Sequence, residues 1–528
     1  MAKGADEFHR LTPRPLPLLN ARVLADEPGS EQERAAFKAL QARLLPFFER
    51  VFPDRMAPRT VLVNPSLSLD TEVMAKISGV HHYEERMFCL LLLLRYPTTR
   101  LIYVTSQHVS ETVVDYFLHL LPGVPTQHAR NRLTLLSCHD GSLKPLTQKI
   151  LERPRLLARI EEALGDKALA HMTCFNVSPL ERTLAVRLGI PIYGCDPDLL
   201  VLGSKSGSRE VFREAGLAMA EGYENLRDEG DVADALVKLK AGNPGLARAV
   251  VKLNEGFSGE GNAVMRFNGA PDGAALTTWV KHRLPQISFA AKGMGWDQYR
   301  GKIAEMGAIV EAFVEGDIKR SPSVQFRITP AREVEAISSH DQVLGGEGEQ
   351  VFLGCQFPAD DDYRLTIEAE GRKAAAVLCE RGVLGRFGID FISVKDGKDW
   401  RHYAIEINLR KGGTTHPQIM LQFLTDGRYD PESGLFFAPG GRPRYYYASD
   451  NIESERYRGL TPQDLMDIAL KHGIHFHQAT QKGVVFHLIG ALSEFGKLGA
   501  VCVGESRAES RRLYDEMITI LDRESAGS

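Results

Sequence analysis

The chain has 528 residues, of which 43% are hydrophobic and 25% are charged, an ordinary composition for a globular protein of several domains. Its 64 basic and 68 acidic residues leave a net charge of −4, which excludes a general attraction to nucleic acid or to an anionic membrane. The longest apolar run, 88–94, is too short to cross a bilayer. The seven cysteines have no CxxC spacing, so neither a zinc ribbon nor a disulfide framework is predicted.

The first part of the chain predicts an arm followed by a parallel sheet. Residues 1–58 contain many prolines and one amphipathic stretch, and we expect an N-terminal arm that packs on the rest. Their first residues carry charges and prolines where a signal peptide is apolar, so we expect a cytoplasmic protein. Over 59–200, apolar strands alternate with helical patterns, which predicts an α/β domain with a parallel sheet.

The remainder of the chain has a different pattern of residues. Residues 201–430 contain short alternating strands and glycine-rich loops, which predict antiparallel sheets. A proline- and glycine-rich stretch at 430–443 separates a final segment, 444–528, in which helical patterns and apolar strands predict a small α+β unit. The expected fold class is therefore an α/β domain followed by α+β structure.

A glycine-rich loop follows the predicted strand that carries Lys252. Glycines allow backbone N–H groups to approach phosphate oxygens, and a lysine at the end of the strand can reach the phosphate charge. The loop lacks the GKS or GKT of a P-loop, and an ordinary hairpin turn has a similar composition. Its candidate phosphate-binding residues are Gly256, Ser258, Gly259 and Gly261.

The segment 307–317 ends an apolar strand in acidic residues. An extended linker of this kind can offer a backbone carbonyl and an N–H to an adenine edge, and a carboxylate nearby can accept hydrogen bonds from ribose. A solvated strand end has the same pattern, so this segment by itself leaves both interpretations open.

Two neighbouring predicted strands carry acidic and amide side chains. Glu406 and Asn408 are two residues apart and share one face of a strand, and Asp390 lies in the preceding strand. Such oxygen ligands suit Mg²⁺, which binds one or two carboxylates together with substrate phosphates. Arg410 has the same strand parity, and its guanidinium can bind a carboxylate or a phosphoryl group. Acidic residues within apolar strands are costly unless they are paired or metal-bound, which favours a functional site.

Taken in chain order, these motifs resemble those of the ATP-grasp superfamily. The segment 203–216, GSKSGSREVFREAG, resembles the first lysine strand and helix of that superfamily, and 250–261, VVKLNEGFSGEG, resembles the second lysine and the flexible phosphate loop. The segment 310–317, VEAFVEGD, resembles the adenine linker. The pattern D…E-x-N-x-R resembles the magnesium-binding and catalytic strands.

Further segments resemble the pheganomycin-type peptide ligases within that superfamily. They are SSHDQVLGGEG (338–348), EINLRKGGTTHP (406–417) and the tail at 483–504. The resemblance runs from about residue 60 to the end of the chain. It implies a pre-ATP-grasp domain at 59–200 and a two-lobed ATP-grasp domain at 201–430, with a flexible lid lobe at about 207–310.

The resemblance also implies ATP and Mg²⁺ as cofactors and assigns a role to each candidate residue. One departure is Gly388, two residues before Asp390, where some relatives have an arginine. The implied roles are ATP phosphate contacts for Lys205 and Lys252, with Lys252 also catalytic; adenine binding for Glu311, Phe313 and Val314; ribose binding for Glu315 or Asp317; Mg²⁺ binding for Asp390, Glu406 and Asn408; and stabilisation of the transferring phosphoryl group for Arg410.

The function implied is that of a ligase. A carboxylate attacks the γ-phosphate of ATP to give an acyl phosphate, and an amine then displaces phosphate to form an amide. The expected partners are small-molecule carboxylate and amine or peptide substrates, with no nucleic acid and no membrane, while oligomerisation stays open. Two alternatives are an ATP-grasp kinase that phosphorylates a carboxylate or enol and a non-catalytic nucleotide-binding scaffold. The complete set of metal ligands and Arg410 favours the enzyme, because binding alone does not require all of them.

Overall fold

The computed structural model describes residues 27–68, 74–75, 77–255, 261–291, 293–345 and 351–527. Its N-terminal unit contains the predicted parallel sheet, with strand order β3-β2-β1-β4. The apolar and β-branched residues of the central strands are buried, as expected of strands covered on both faces. The strands are β1 (Arg59–Asn64), β2 (Thr99–Thr105), β3 (Leu133–Ser137) and β4 (Ala170–Cys174).

Helices precede and connect the strands of this unit. The first of them is fastened to the parallel-sheet unit by Gln41, whose amide donates to the carbonyl of Ile192 (3.0 Å) and accepts from its N–H (2.8 Å). The α-helices are Glu31–Gln41, Leu44–Val51, Glu111–His119, Thr126–Arg130, Leu146–Leu151, Pro154–Leu164 and Pro179–Leu188; the 3₁₀ helices are Val80–Arg95, Lys167–Leu169 and Pro197–Gly203.

A second, five-stranded antiparallel sheet follows the helix Lys205–Glu214, with order β5-β9-β6-β7-β8. Three helices, Glu229–Gly242, Ala275–Arg283 and Trp296–Met306, and the 3₁₀ turn Leu284–Gln286 accompany it. The apolar faces of this sheet and its helices form a separate hydrophobic core. The strands are β5 (Gly222–Leu226), β6 (Arg248–Leu253), β7 (Asn262–Arg266), β8 (Ser288–Phe289) and β9 (Ala308–Ala312).

The third sheet has eleven strands and runs through the rest of the chain. Its main path is β10-β14-β11-β12-β13-β18-β17-β16, with β15 paired to β14, β20 to β18 and β19 to β20. The strands are β10 (Lys319–Arg320), β11 (Pro322–Ile328), β12 (Val334–Gly345), β13 (Val351–Phe357), β14 (Gly385–Asp396), β15 (Asp399–Asn408), β16 (Arg428–Asp430), β17 (Leu435–Ala438), β18 (Arg442–Glu453), β19 (Gly483–His487) and β20 (Lys497–Gly504).

The pairings within this sheet are antiparallel, which confirms the expected combination of an α/β unit with antiparallel α+β structure. Among the described helices, none is both long enough and apolar enough to cross a membrane. The helices beside this sheet are Arg364–Glu380, Thr415–Thr425, Pro462–Lys471, Leu492–Phe495 and Arg507–Glu524, with 3₁₀ turns Glu455–Gly459, Ile489–Ala491 and Ser525–Gly527.

Candidate active site

A cleft of about 870 Å³ is lined by residues from all three sheets or their connections. Eight side chains that the sequence analysis singled out line this cleft, although they come from distant parts of the chain. They are Lys252, Glu311, Phe313, Val314, Asp390, Glu406, Asn408 and Arg410. The fold therefore gathers lysine, arginine and carboxylate groups around one space large enough for a small-molecule ligand.

The five-stranded sheet contributes a buried cluster of charges. Glu311 on β9 is 2% exposed and accepts a hydrogen bond from Nζ of Lys252 on β6 at 2.6 Å. Arg209, in the helix Lys205–Glu214, donates a hydrogen bond to the other carboxylate oxygen of Glu311. Although burial alone would raise the pKa of Glu311, these two cations hold it below its usual value. Glu311 therefore stays ionised and positions Lys252 at the cleft.

Asp390 and Glu406 face each other across the antiparallel pair β14 and β15. Burial raises the pKa of Asp390 to about 7, and the negative charge of Glu406 adds to the rise. Asp390 accepts hydrogen bonds from the side-chain amides of Asn408 and Gln342, each at 3.0 Å. Two partly buried carboxylates at facing positions of paired strands favour the binding of a cation between them.

Lys205 and Arg410 lie next to this acidic pair. Nζ of Lys205, at the start of the helix Lys205–Glu214, donates to Oε1 of Glu406 at 3.0 Å. Arg410 lines the same cleft just beyond the end of β15, and burial lowers the pKa of its guanidinium. The cleft thus contains cationic groups beside the carboxylates, an arrangement suited to a phosphate-bearing ligand held through a metal ion.

Other predicted residues are not brought to the cleft. Glu315 and Asp317 are exposed and do not line it, and Glu315 forms an ion pair with Arg248 in which Nε lies 2.9 Å from Oε1. Gly261 lies immediately before β7, and its carbonyl accepts a hydrogen bond from the hydroxyl of Tyr299 at 2.9 Å. The remaining loop residues of the prediction, Gly256, Ser258 and Gly259, lie outside the described residues.

Sequence reasoning missed several residues that complete the site. Gln342 on β12 fixes Asp390, and Arg209 fixes Glu311; both lie within segments that resemble the family, but the sequence analysis assigned neither of them a role. Gly388, the departure noted above, faces Gln325: a Cβ at position 388 would lie 2.6 Å from Nε2 of Gln325, so a larger residue there would require that side chain to move. Gln325 itself lines the cleft and occupies the space beside Gly388.

Comparison with known proteins identifies relatives over most of the chain. Residues 275–432 match the family model described as IQCH-like, ATP-grasp, and residues 464–517 match the PGM1 C-terminal domain. The chain is 32% identical over 432 residues to an L-propargylglycine–L-glutamate ligase of Streptantibioticus cattleyicolor, covering 80% of this chain and 86% of the relative. It is also 23% identical to IQ motif-containing protein H of Danio rerio, over 67% of this chain and 38% of that protein.

Solved structures show the same fold. A biotin carboxylase from Campylobacter jejuni has a TM-score of 0.51 at 13% identity, covering 86% of this chain and 89% of its own. An N5-carboxyaminoimidazole ribonucleotide synthetase has a TM-score of 0.50 at 12% identity, covering 89% and 97%. The chain belongs to the ATP-grasp family of carboxylate–amine ligases. Its likeness to the L-propargylglycine–L-glutamate ligase confirms the predicted resemblance to pheganomycin-type ligases within that family.

Proposed function

We propose that this ligase joins the carboxylate of an amino-acid-like acid to the amino group of an amino acid or peptide, with ATP and Mg²⁺, in the cytoplasm. The observation that carries this proposal is the meeting of Asp390, Glu406, Arg410 and Lys252 around one cleft, with Lys205 behind its lining and hydrogen-bonded to Glu406. The S. cattleyicolor relative joins, by its name, two amino acids, which supports amino acids as the substrate class.

Asp390, Glu406 and Asn408 are the residues that would hold Mg²⁺. Their oxygen donors match the preference of this ion, and Asp390 and Glu406 occupy facing positions on paired strands. Burial, and to a smaller extent the negative charge of Glu406, raises the pKa of Asp390. Gln342 on β12, which is separated from β14 by β11, donates a hydrogen bond to Asp390 and holds it in place. When bound, Mg²⁺ neutralises charge on the phosphates of ATP.

The remaining residues bind the nucleotide and the reacting groups. Lys205 and Lys252 contact phosphate oxygens, and the backbones of Phe313 and Val314 hold adenine, with Glu311 fixing Lys252. A carboxylate oxygen of the acid attacks the γ-phosphorus and ADP leaves. The uncharged amine then attacks the carbonyl of the acyl phosphate, phosphate leaves, and the proton lost from nitrogen passes to the departing phosphate or to solvent. Arg410 stabilises negative charge on the transferring phosphoryl group and on the tetrahedral intermediate.

The experiment that tests this proposal is ADP release with ATP and Mg²⁺ against pools of amino acids and short peptides, with mass spectrometry of the products. Release of ADP that requires an amine, together with an amide product, is the expected result. Release of ADP with the acid alone and no amide would favour the kinase alternative. ATP binding without ADP release from any pool would favour the scaffold.

A further inference from the structure

A second group of charged side chains lines the same cleft and has no role in the assignment above. It consists of Arg86, Asp450, Glu453 and Lys497, with the ring of Tyr83 between the two cations. Arg86 and Tyr83 come from the helix Val80–Arg95 of the parallel-sheet unit, whereas the other three lie on β18 and β20. We call this group the Arg86 cluster.

Two ion pairs build the Arg86 cluster. Nη1 of Arg86 lies 3.1 Å from Oδ2 of Asp450, and these residues are only 6% and 8% exposed. Nζ of Lys497 lies 3.7 Å from Oε2 of Glu453. The guanidinium of Arg86 also stacks on Tyr83 and on Phe175, each ring centroid being 4.5 Å from its Cζ. The contacts with the rings of Tyr83 and Phe175 therefore fix the plane of the Arg86 guanidinium.

Arg86 has hydrogen-bonding capacity that the protein does not use. Its Nε is buried and has no hydrogen-bond partner among the described residues. A guanidinium has five N–H donors in a rigid fork, and a buried donor without a partner is unfavourable. Because Arg86 lines the cleft, its guanidinium can donate to a ligand carboxylate bound there.

The charge of the Arg86 cluster selects the kind of ligand. The two cations and two carboxylates of the cluster have a net charge of zero. A ligand with a single charge would pair with the groups of opposite sign and would lie beside groups of like charge that have lost their partners. A zwitterion matches both signs, since its carboxylate binds Arg86 while its amino group donates to Asp450. An α-amino acid carries these two groups on one carbon atom.

The cluster lies next to the proposed reaction centre. Phe175, on which Arg86 stacks, accepts a backbone hydrogen bond at 3.0 Å from Lys411, the residue that follows Arg410. The amine partner of a ligase reacts through nitrogen and keeps its own carboxylate throughout, so Arg86 can hold that carboxylate during the reaction. The acid partner does not fit this role if it reacts through its only carboxylate.

We propose that the Arg86 cluster is the binding site for the amine substrate, and that this substrate is an α-amino acid with a free carboxylate. The assignment rests on the proposed ligase function. Arg86 binds the α-carboxylate through two N–H groups, Asp450 accepts from the amino group, and Tyr83 and Phe175 hold Arg86 in place.

The test compares free amino acids with their amides as amine substrates in wild type and in Arg86→Gln. The probes are the proteinogenic L-amino acids and the corresponding amino acid amides, which lack the carboxylate charge. In wild type, the KM of the amide should exceed that of the free amino acid about 10–10²-fold, the worth of a charge-assisted hydrogen bond. In Arg86→Gln this ratio should fall to about 3-fold or less, while the KM values for ATP and for the acid stay unchanged.

A control variant separates recognition from folding. Arg444, on β18, is a buried arginine like Arg86, and its Nη1 lies 3.6 Å from Oε1 of Glu505. Unlike Arg86, it does not line the cleft. Arg444→Gln should leave the ratio of free amino acid to amide at its wild-type value. An unchanged ratio in Arg86→Gln, or a rise confined to the KM of the acid, would overturn the inference. If Arg86→Gln does not fold, equal KM values for free amino acids and amides in wild type would overturn it as well.

A failure of the inference about the Arg86 cluster can be distinguished from a failure of the proposed ligase function. Wild-type enzyme that releases no ADP and forms no amide from any pool contradicts the ligase itself. Wild-type enzyme that forms an amide equally well from amino acids and from their amides contradicts only the role of the Arg86 cluster.

Discussion

Replacing Glu311 by glutamine should destabilise the five-stranded sheet by about 3 kcal/mol. Removing one partner of a buried ion pair costs about 3–5 kcal/mol, because the other charge is left uncompensated. Glu311 balances both Lys252 and Arg209, but Arg209 keeps a second carboxylate, Glu224, at 3.0 Å from its Nε. Only Lys252 is then left without its described partner, so the lower end of the range applies.

Hydrogen–deuterium exchange measures this cost at the place where it arises. Exchange of the amides of β6 and β9 in Glu311→Gln should accelerate about 10²-fold, the equivalent of 3 kcal/mol. The control is Glu229→Gln in the same lobe, because the ion pair of Glu229 with Arg300 is half-exposed, with 3.6 Å between Oε2 and Nη1. Its effect should be below about 1 kcal/mol. Equal exchange in the two variants would refute the account of Glu311.

Three other changes test the site and its surroundings. Arg410→Ala should retain ATP binding and lose about 10²–10³-fold in turnover, and wild-type turnover would contradict its role. Gln342→Met should raise the Mg²⁺ concentration for half-maximal turnover about 10–10²-fold, and an unchanged Mg²⁺ titration would show that Gln342 does not orient Asp390. Burial lowers the pKa of His340 to about 3. Between about pH 3 and the unfolded pKa of about 6.5, the folded protein therefore binds fewer protons than the unfolded chain. The free energy of unfolding consequently falls as the pH drops through this range. His340→Gln should reduce that slope by up to about 1.4 kcal/mol per pH unit, measured by denaturant unfolding at pH 4.5–6.5; an equal slope in both proteins would contradict the buried neutral state.

The sequence predicted the parts of the site that are carried by local spacing. Glu406 and Asn408 share a strand face because alternate residues of a strand do, and Asp390 reaches Glu406 because a hairpin joins their strands. The strand-and-helix alternation of 59–200 likewise reflects local periodicity, and the parallel sheet confirms it.

The rest depends on contacts between distant segments. Arg86 meets Asp450 across 364 residues of chain, and nothing in the sequence around either residue specifies the partner. Gln342 lies on a strand whose pairing contains a bulge, so alternation alone does not predict which side chains reach Asp390. His340, which lies in a ligase-like segment, is buried against Tyr446 and Phe357 instead of lining the cleft, because strand packing decides its direction.

The most direct test of the central claim follows the oxygen atoms of the acid. The acid that supports amide formation is prepared with ¹⁸O in its carboxylate and incubated with the enzyme, the amine, ATP and Mg²⁺, and the released phosphate is analysed by mass spectrometry. An acyl phosphate intermediate predicts one ¹⁸O atom in each phosphate, since the attacking carboxylate oxygen stays bonded to phosphorus when the amine displaces it. Phosphate without ¹⁸O, or label found in AMP, would contradict the account.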